Sequence, residues 1–144
     1  MPSFTVTAAH KKLKLDSSGA ARGTFTVTNT SAQTLKGRLL ARPSEAARPE
    51  WFSVVGDSTR DFAPNVPAQV VVQLAVPQGS PPGSYSFRLD AVSQVAPDED
   101  FTEGPSITFD VKAPEQHKRP IVPWILIVAG ALIVLIIVAF LAAK

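Results

Sequence analysis

The sequence predicts an all-β sandwich domain followed by one C-terminal transmembrane helix. Before residue 120, apolar and polar residues alternate with period two in short segments that Gly, Pro, Asn and Asp separate. After residue 120, the 23 residues 121–143 contain no charged side chain. At a rise of ~1.5 Å per residue, this run gives roughly 34 Å of helix, enough to cross a hydrocarbon core of about 30 Å.

The alternating segments predict seven or eight strands with one apolar face each. The residues expected to point inward are Phe4 and Val6; Phe25 and Val27; Val70, Val72, Leu74 and Val76; Tyr85, Phe87, Leu89 and Ala91; and Ile107, Phe109 and Val111. Antiparallel sheets that bury one face show this alternation, so the expected architecture is an antiparallel β-sandwich. The segment WFSVV is expected to be a strand, and its Trp51 is a candidate for the core.

One segment of the sequence resembles a known motif. The segment VPQGSPPGSYSFRL, residues 76–89, joins the end of one expected strand to Tyr85 at the start of the next. It resembles the tyrosine corner of immunoglobulin-like domains, in which the hydroxyl bonds back to nearby backbone. Together with TVTNTS and VVVQLAVP, it makes residues 20–112 resemble the immunoglobulin-like modules that recur in bacterial surface and membrane proteins. The resemblance implies a fold for residues 1–112 without implying a single function.

The C-terminal region predicts a tail anchor. Residues 113–120 read as a polar linker, and the start of the chain lacks the apolar run of a signal peptide. Lys118 and Arg119 precede the expected span, and Trp124 suits the headgroup level. Because positive flanks favour the cytoplasmic side, the sandwich is expected in the cytoplasm, with the bacterial inner membrane as the expected location.

The expected transmembrane helix leaves open a weak association between two copies of the chain. Ala139 and Ala143 are four residues apart, the spacing at which small residues let two helices approach closely, but a GxxxG pattern is absent. The partner that residues 121–143 predict directly, from their length and apolarity, is the lipid bilayer.

The composition and the motifs argue against a catalytic site, a metal site and a nucleic-acid-binding surface. The chain has no cysteine, two histidines and a formal net charge of +2, so neither a thiol site, a histidine-rich metal site nor a nucleic-acid-binding field is predicted. GDS at residues 56–58 lacks the partners that a nucleophilic serine needs and is expected to be a turn. Asn29-Thr30-Ser31 matches a glycosylation sequon, but a turn is expected there too. No enzyme activity, cofactor or metal is predicted.

The best candidate for a partner site is an acidic loop in PDEDFTEGP. Its residues are Asp98, Glu99, Asp100, Phe101 and Glu103, and an exposed aromatic side chain flanked by carboxylates could dock a basic protein surface. Carboxylates are also the ligands that Ca²⁺ prefers, so the sequence leaves an ion open as an alternative.

These observations favour a tail-anchored adaptor or scaffold that holds a protein partner at the membrane, for example a secretion or injection machine. The layout is similar to that of tail-anchored proteins with a major-sperm-protein domain, although the coiled coil of those proteins is absent here. The alternative is an externally displayed carbohydrate- or surface-binding module. That module would need exposed aromatic side chains for sugar stacking, and Trp51 is the one Trp outside the expected anchor.

Overall fold

Nine strands and one short 3-10 helix build the sandwich, in a computed structural model that describes residues 1–115, 137–139 and 142. In chain order the strands are β1 (Phe4–Ala8), β2 (Lys12–Leu13), β3 (Ala20–Asn29), β4 (Leu35–Pro43), β5 (Phe52–Val54), β6 (Thr59–Phe62), β7 (Pro67–Ala75), β8 (Gly83–Ser93) and β9 (Phe101–Val111). The 3-10 helix, Pro49–Trp51, precedes β5, so the prediction that Trp51 opens a strand is wrong by one residue. Residues Met1–Ala113 form one compact unit.

The strands form two sheets. The four-stranded sheet has the order β1-β3-β7-β5, and the five-stranded sheet has the order β2-β9-β8-β4-β6. All neighbouring strands are antiparallel except β2 and β9, which pair in parallel through Lys12 and Leu13. The prediction of a purely antiparallel sandwich is therefore wrong at this edge, because the chain pairs with β3 through β1 and then crosses to the other sheet.

The period-two pattern identifies the core correctly. The buried apolar residues include every inward residue predicted on β1, β3 and β8, together with Val70, Val72, Leu74 and Val76, and Ile107 and Phe109. Aromatic rings pack edge to face in this core, as Trp51 does on Tyr85 at 5.3 Å between ring centroids. The Tyr85 hydroxyl donates a hydrogen bond to the Pro81 carbonyl at 2.6 Å, so the predicted tyrosine corner is confirmed.

A β-bulge interrupts the pairing of β8 with β9. Arg88 pairs with Ser106 and Asp90 pairs with Glu103, so two residues of β9 lie opposite the single Leu89. One of the two is Gly104, where an added Cβ would overlap the Leu89 carbonyl oxygen. Glycine at this position lets the two backbones approach, and the bulge sets the side-chain register of β9 beyond it.

The predicted membrane segment, residues 121–143, lies outside the described residues except for residues 137–139 and 142, which are helical. Lys118, Arg119 and Trp124, the predicted interface residues, also lie outside them. Within the part of the chain that the structure describes, we find no helix that combines the length and apolarity needed to cross a bilayer.

Candidate functional site

The predicted acidic loop is divided between a turn and a strand. Residues 94–100 connect β8 to β9, and within them Asp98 and Glu99 are exposed. Phe101 and Glu103, by contrast, belong to β9, so the expectation that Phe101 lies at the centre of a loop is wrong. Phe101 nevertheless remains 48% exposed. It is therefore an aromatic side chain at a fixed strand position, facing solvent.

Asp100 has a structural contact that the sequence did not reveal. Its carboxylate Oδ1 accepts a hydrogen bond of 2.6 Å from the backbone N–H of Ser3, 97 residues earlier in the chain. The Thr102 hydroxyl donates a hydrogen bond of 2.7 Å to the carbonyl of Phe4. These two contacts hold the N-terminal segment against the start of β9, so Asp100 positions the segment that carries Phe101.

The same end of the sandwich is held by a buried amide. The side chain of Asn29 donates to the carbonyls of Gln33 (2.7 Å) and Phe62 (2.8 Å), and its Oδ1 accepts from the N–H and hydroxyl of Ser31 (2.9 and 2.7 Å). The side chain is fully buried and all its hydrogen-bonding capacity is used. The sequon at Asn29 therefore encodes a structural amide that connects the loop after β3 to the end of β6.

Ion pairs concentrate on the outer face of the five-stranded sheet. All four ion pairs among the described residues join side chains of β2, β4, β8 and β9. The basic run that the sequence places at residues 10–14 supplies one of them, because Lys12 on edge strand β2 binds Asp110 at 2.6 Å. The outer face of the other sheet is lined mainly by threonine and glutamine, so the two solvent-facing surfaces differ chemically.

A buried carboxylate lies at the centre of this charged sheet. Asp90 is 6% exposed, and its Oδ1 accepts a hydrogen bond of 2.9 Å from Arg88 Nε. Arg42 Nε lies 3.6 Å from the other oxygen, and Arg88 also binds Glu103 at 2.7 Å. The hydrogen bond to Asp90 raises the pKa of Arg88 further, so the guanidinium stays charged. The network fixes three long side chains that would otherwise sample many rotamers.

Strand register arranges the surrounding residues in rows across β4, β8 and β9. Arg38, Val92 and Phe101 form one row, Leu40, Asp90 and Glu103 the next, and Arg42, Arg88 and Ser106 the third. We call these nine residues the charged face. Together with Gln94, Pro97 and Asp98 of the β8–β9 connection, they surround an open cleft of about 810 Å³. Half-buried Leu40 and Val92 and exposed Phe101 give this face apolar contacts between its charges.

On and beside the charged face, the basic and acidic side chains lie mostly on different strands, apart from Arg88 and Asp90, which are both on β8. Lys36 and Arg38 on β4 form no ion pair with any described residue, and with Arg42 they make a basic column. Asp98 and Glu103 make an acidic column on the side of β9. The two columns are separated by β8, a distance of about 10 Å for two strand spacings. Sequence reasoning found Asp98 and Glu103 but missed the basic column, because the pairing of β4 with β8 is not readable from local pattern.

The described residues hold no cluster of three or more His, Cys, Asp or Glu side chains that could bind a metal ion. Trp51, which an external sugar-binding module would need on its surface, is buried against Tyr85. Among the aromatic side chains of the described sandwich, Phe101 is the one that is exposed.

No protein-family model and no curated protein matches the sequence. Solved structures with the same fold include part of a family 123 glycoside hydrolase from Clostridium perfringens, at a TM-score of 0.62 and 7% identity over 78% of this chain. The chain spans 28% of the length of that hydrolase.

Two further structures match over most of their own length. A FixG-related protein from Vibrio parahaemolyticus gives a TM-score of 0.53 at 16% identity, over 76% of this chain and 95% of that one. An ASH/PapD-like domain of human CEP192 gives 0.51 at 10% identity, over 78% and 87%. Likeness at these identities reports fold alone. The chain therefore contains an all-β sandwich domain with an immunoglobulin-like fold.

Proposed function

We propose that this chain is a tail-anchored adaptor or scaffold that binds a protein through its sandwich domain while residues 121–143 insert into a bilayer. The observation that carries the proposal is Phe101, an aromatic side chain 48% exposed beside the cleft of the charged face. Aromatic and arginine side chains dominate the binding energy of protein interfaces, and here Phe101 and Arg38 lie in one row across β4, β8 and β9.

The surroundings of Phe101 support a preorganised binding surface. Asp100 and Thr102 on either side of it bond to the backbone of Ser3 and Phe4, and the Arg88 network fixes the neighbouring charges. A surface whose side chains are already ordered loses less conformational entropy on binding. The geometry therefore favours a binding surface that is already formed in the free protein. A mobile loop would become ordered only in the complex.

Tethering supports the same function. A bilayer anchor raises the effective concentration of any partner on the same membrane, so an interface of modest affinity suffices. Phe101 and Val111 are the two ends of β9, about 33 Å apart for a strand of this length. The candidate surface is thus well separated from the point at which the chain leaves the sandwich.

The test is quantitative affinity capture of the full-length protein from mild detergent, with Phe101→Ala compared against wild type. Val55→Ala is the matched control, because Val55 is 50% exposed in the turn after β5, a strand of the other sheet, and does not line the cleft. Loss of a hot-spot side chain costs more than about 1 kcal/mol, so partner recovery is expected to fall about fivefold or more with Phe101→Ala and to be unchanged with Val55→Ala.

Equal recovery by wild type and Phe101→Ala would exclude the charged face as the binding site. The anchoring half of the proposal is tested separately by washing membranes with alkaline carbonate. Release of the full-length chain into the wash would contradict insertion of residues 121–143.

A further inference from the structure

We propose that a group of lysines at the Val111 end of the sandwich binds the anionic headgroups of the bilayer in which residues 121–143 insert. The inference rests on the proposed function in one respect, namely that the tail is anchored in a membrane. We call these exposed side chains the lysine patch: Lys11, Lys12, Lys14 and Lys112. Their contact with the headgroups holds the domain with one end of β9 toward the lipid.

The parallel pairing of β2 with β9 brings the lysine patch together. Lys12 lies beside Thr108, and the chain after β2 runs toward the same end of the sandwich as β9 does. Lys14 is therefore closer to the Val111 end than Lys12 is, and Lys112 follows Val111 directly. Lysines from the beginning and the end of the sandwich sequence thus lie where the chain leaves the domain.

The lysine patch keeps an excess of positive charge. Asp110 is already bound to Lys12 at 2.6 Å. Asp16 is engaged in its own turn, where its Oδ1 accepts three hydrogen bonds of 2.6 to 2.9 Å. Glu45 and Glu50 at the same end follow β4, which β8 and β9 separate from β2. The other three lysines of the patch form no ion pair with any residue that the structure describes, so they are available to an external anion.

The opposite end of β9 favours the same orientation. The connection that precedes Phe101 carries three carboxylates: Asp98, Glu99 and Asp100. An anionic surface attracts the lysine patch and repels this acidic connection. Docking through the patch also leaves Phe101 about 33 Å away along β9, where a protein partner can reach it.

The length of the linker permits this contact. At ~3.5 Å per residue, residues 113–120 reach at most roughly 28 Å, so an anchored tail keeps the Val111 end near the headgroups. The tether gives the lysine patch a high effective concentration at the bilayer surface. Each basic side chain close to an anionic surface then shifts the docking equilibrium about fivefold.

Energy transfer to the bilayer surface tests the docking. The chain has no cysteine, so Ser17→Cys, in the exposed turn beyond Lys14, provides a single donor site near the lysine patch. Ala32→Cys, exposed in the β3–β4 connection at the opposite end, provides the comparison site. The labelled full-length protein is reconstituted into vesicles with acceptor-labelled headgroups, made of phosphatidylcholine alone or of phosphatidylcholine with phosphatidylglycerol.

We expect phosphatidylglycerol to raise energy transfer from the Ser17 site, to leave transfer from the Ala32 site unchanged or lower, and added salt to reverse the increase. Proximity in phosphatidylcholine alone follows from the linker, so the increase that phosphatidylglycerol produces is the measured quantity. Lys11→Gln with Lys14→Gln is expected to lower the ratio of docked to undocked protein at least about tenfold.

The matched control is Lys36→Gln with Arg38→Gln. It also removes two exposed positive charges, but from β4 near the Phe101 end, so its docking is expected to equal that of wild type. All substituted side chains are exposed, and both variants are therefore expected to fold.

Equal transfer from the Ser17 site in both kinds of vesicle would overturn the proposal. A lysine variant that docks as wild type does would overturn it as well. In either case, resistance to the carbonate wash and capture through Phe101 would leave the proposed function in place. Release of the chain by carbonate would instead remove the anchor, and this inference with it.

Discussion

The amide of Asn29 offers a quantitative test of how the candidate surface is supported. It makes four hydrogen bonds of 2.7 to 2.9 Å while fully buried, and two of them go to backbone carbonyls, one in the loop after β3 and one at the end of β6. Each such bond contributes about 1 kcal/mol net, and an unpaired buried group costs about 1–3 kcal/mol. The Phe62 carbonyl would lose this donor in a buried environment, whereas the groups of Ser31 can reach water. We therefore expect Asn29→Ala to destabilise the domain by about 3 kcal/mol.

The assay is urea unfolding of the full-length protein in detergent, followed by fluorescence of Trp51 in a Trp124→Phe background. With an m-value of about 2 kcal/mol/M, a loss of 3 kcal/mol lowers the urea midpoint by about 1.5 M. Asn29→Asp is expected to be worse at neutral pH, because a carboxylate cannot donate to two carbonyls and would be buried with its charge.

Thr30→Ala is the control for the Asn29 series. Its hydroxyl makes one exposed hydrogen bond of 3.2 Å, so we expect a change within about 0.5 kcal/mol. If Asn29→Ala shifts the midpoint no more than Thr30→Ala, the assignment of Asn29 as a support of these segments is incorrect.

Two further predictions concern the tyrosine corner and an exposed carboxylate. Tyr85→Phe removes the hydrogen bond to Pro81 while keeping the packed ring, so we expect a loss of about 1 kcal/mol in the same urea assay; an unchanged midpoint would mean that the bond contributes nothing net. Lys12 and Ser84 lower the pKa of Asp110 by hydrogen bonding, in that order. Folding is thus stabilised by this ionised carboxylate at pH values above its pKa in the unfolded chain, and the contribution disappears as pH falls through the lower folded pKa. Carboxyl NMR should show Asp110 titrating below its usual range in wild type and at a higher pH in Lys12→Met; equal midpoints would refute the contribution of Lys12.

Sequence reasoning identified the inward faces of the strands because side-chain alternation is a local property of extended backbone. Phe25, Phe87 and Phe109 are buried as their spacing predicted, and the Pro-rich corner placed Tyr85 where its hydroxyl reaches Pro81. The acidic loop was only partly described by its composition, since Phe101 and Glu103 belong to β9 and Asp100 binds Ser3.

The partners of each strand were decided by the tertiary structure alone. The parallel pairing of β2 with β9, the bulge at Gly104 and the alignment of Arg38 with Val92 and Phe101 all join residues far apart in the chain. Local alternation says which side of a strand faces inward but carries no information about which strand lies beside it, because backbone hydrogen bonds between strands are the same for every side chain. The amino-acid sequence by itself therefore determined the core and the uncharged tail, whereas the charged face exists only through the register of β4, β8 and β9.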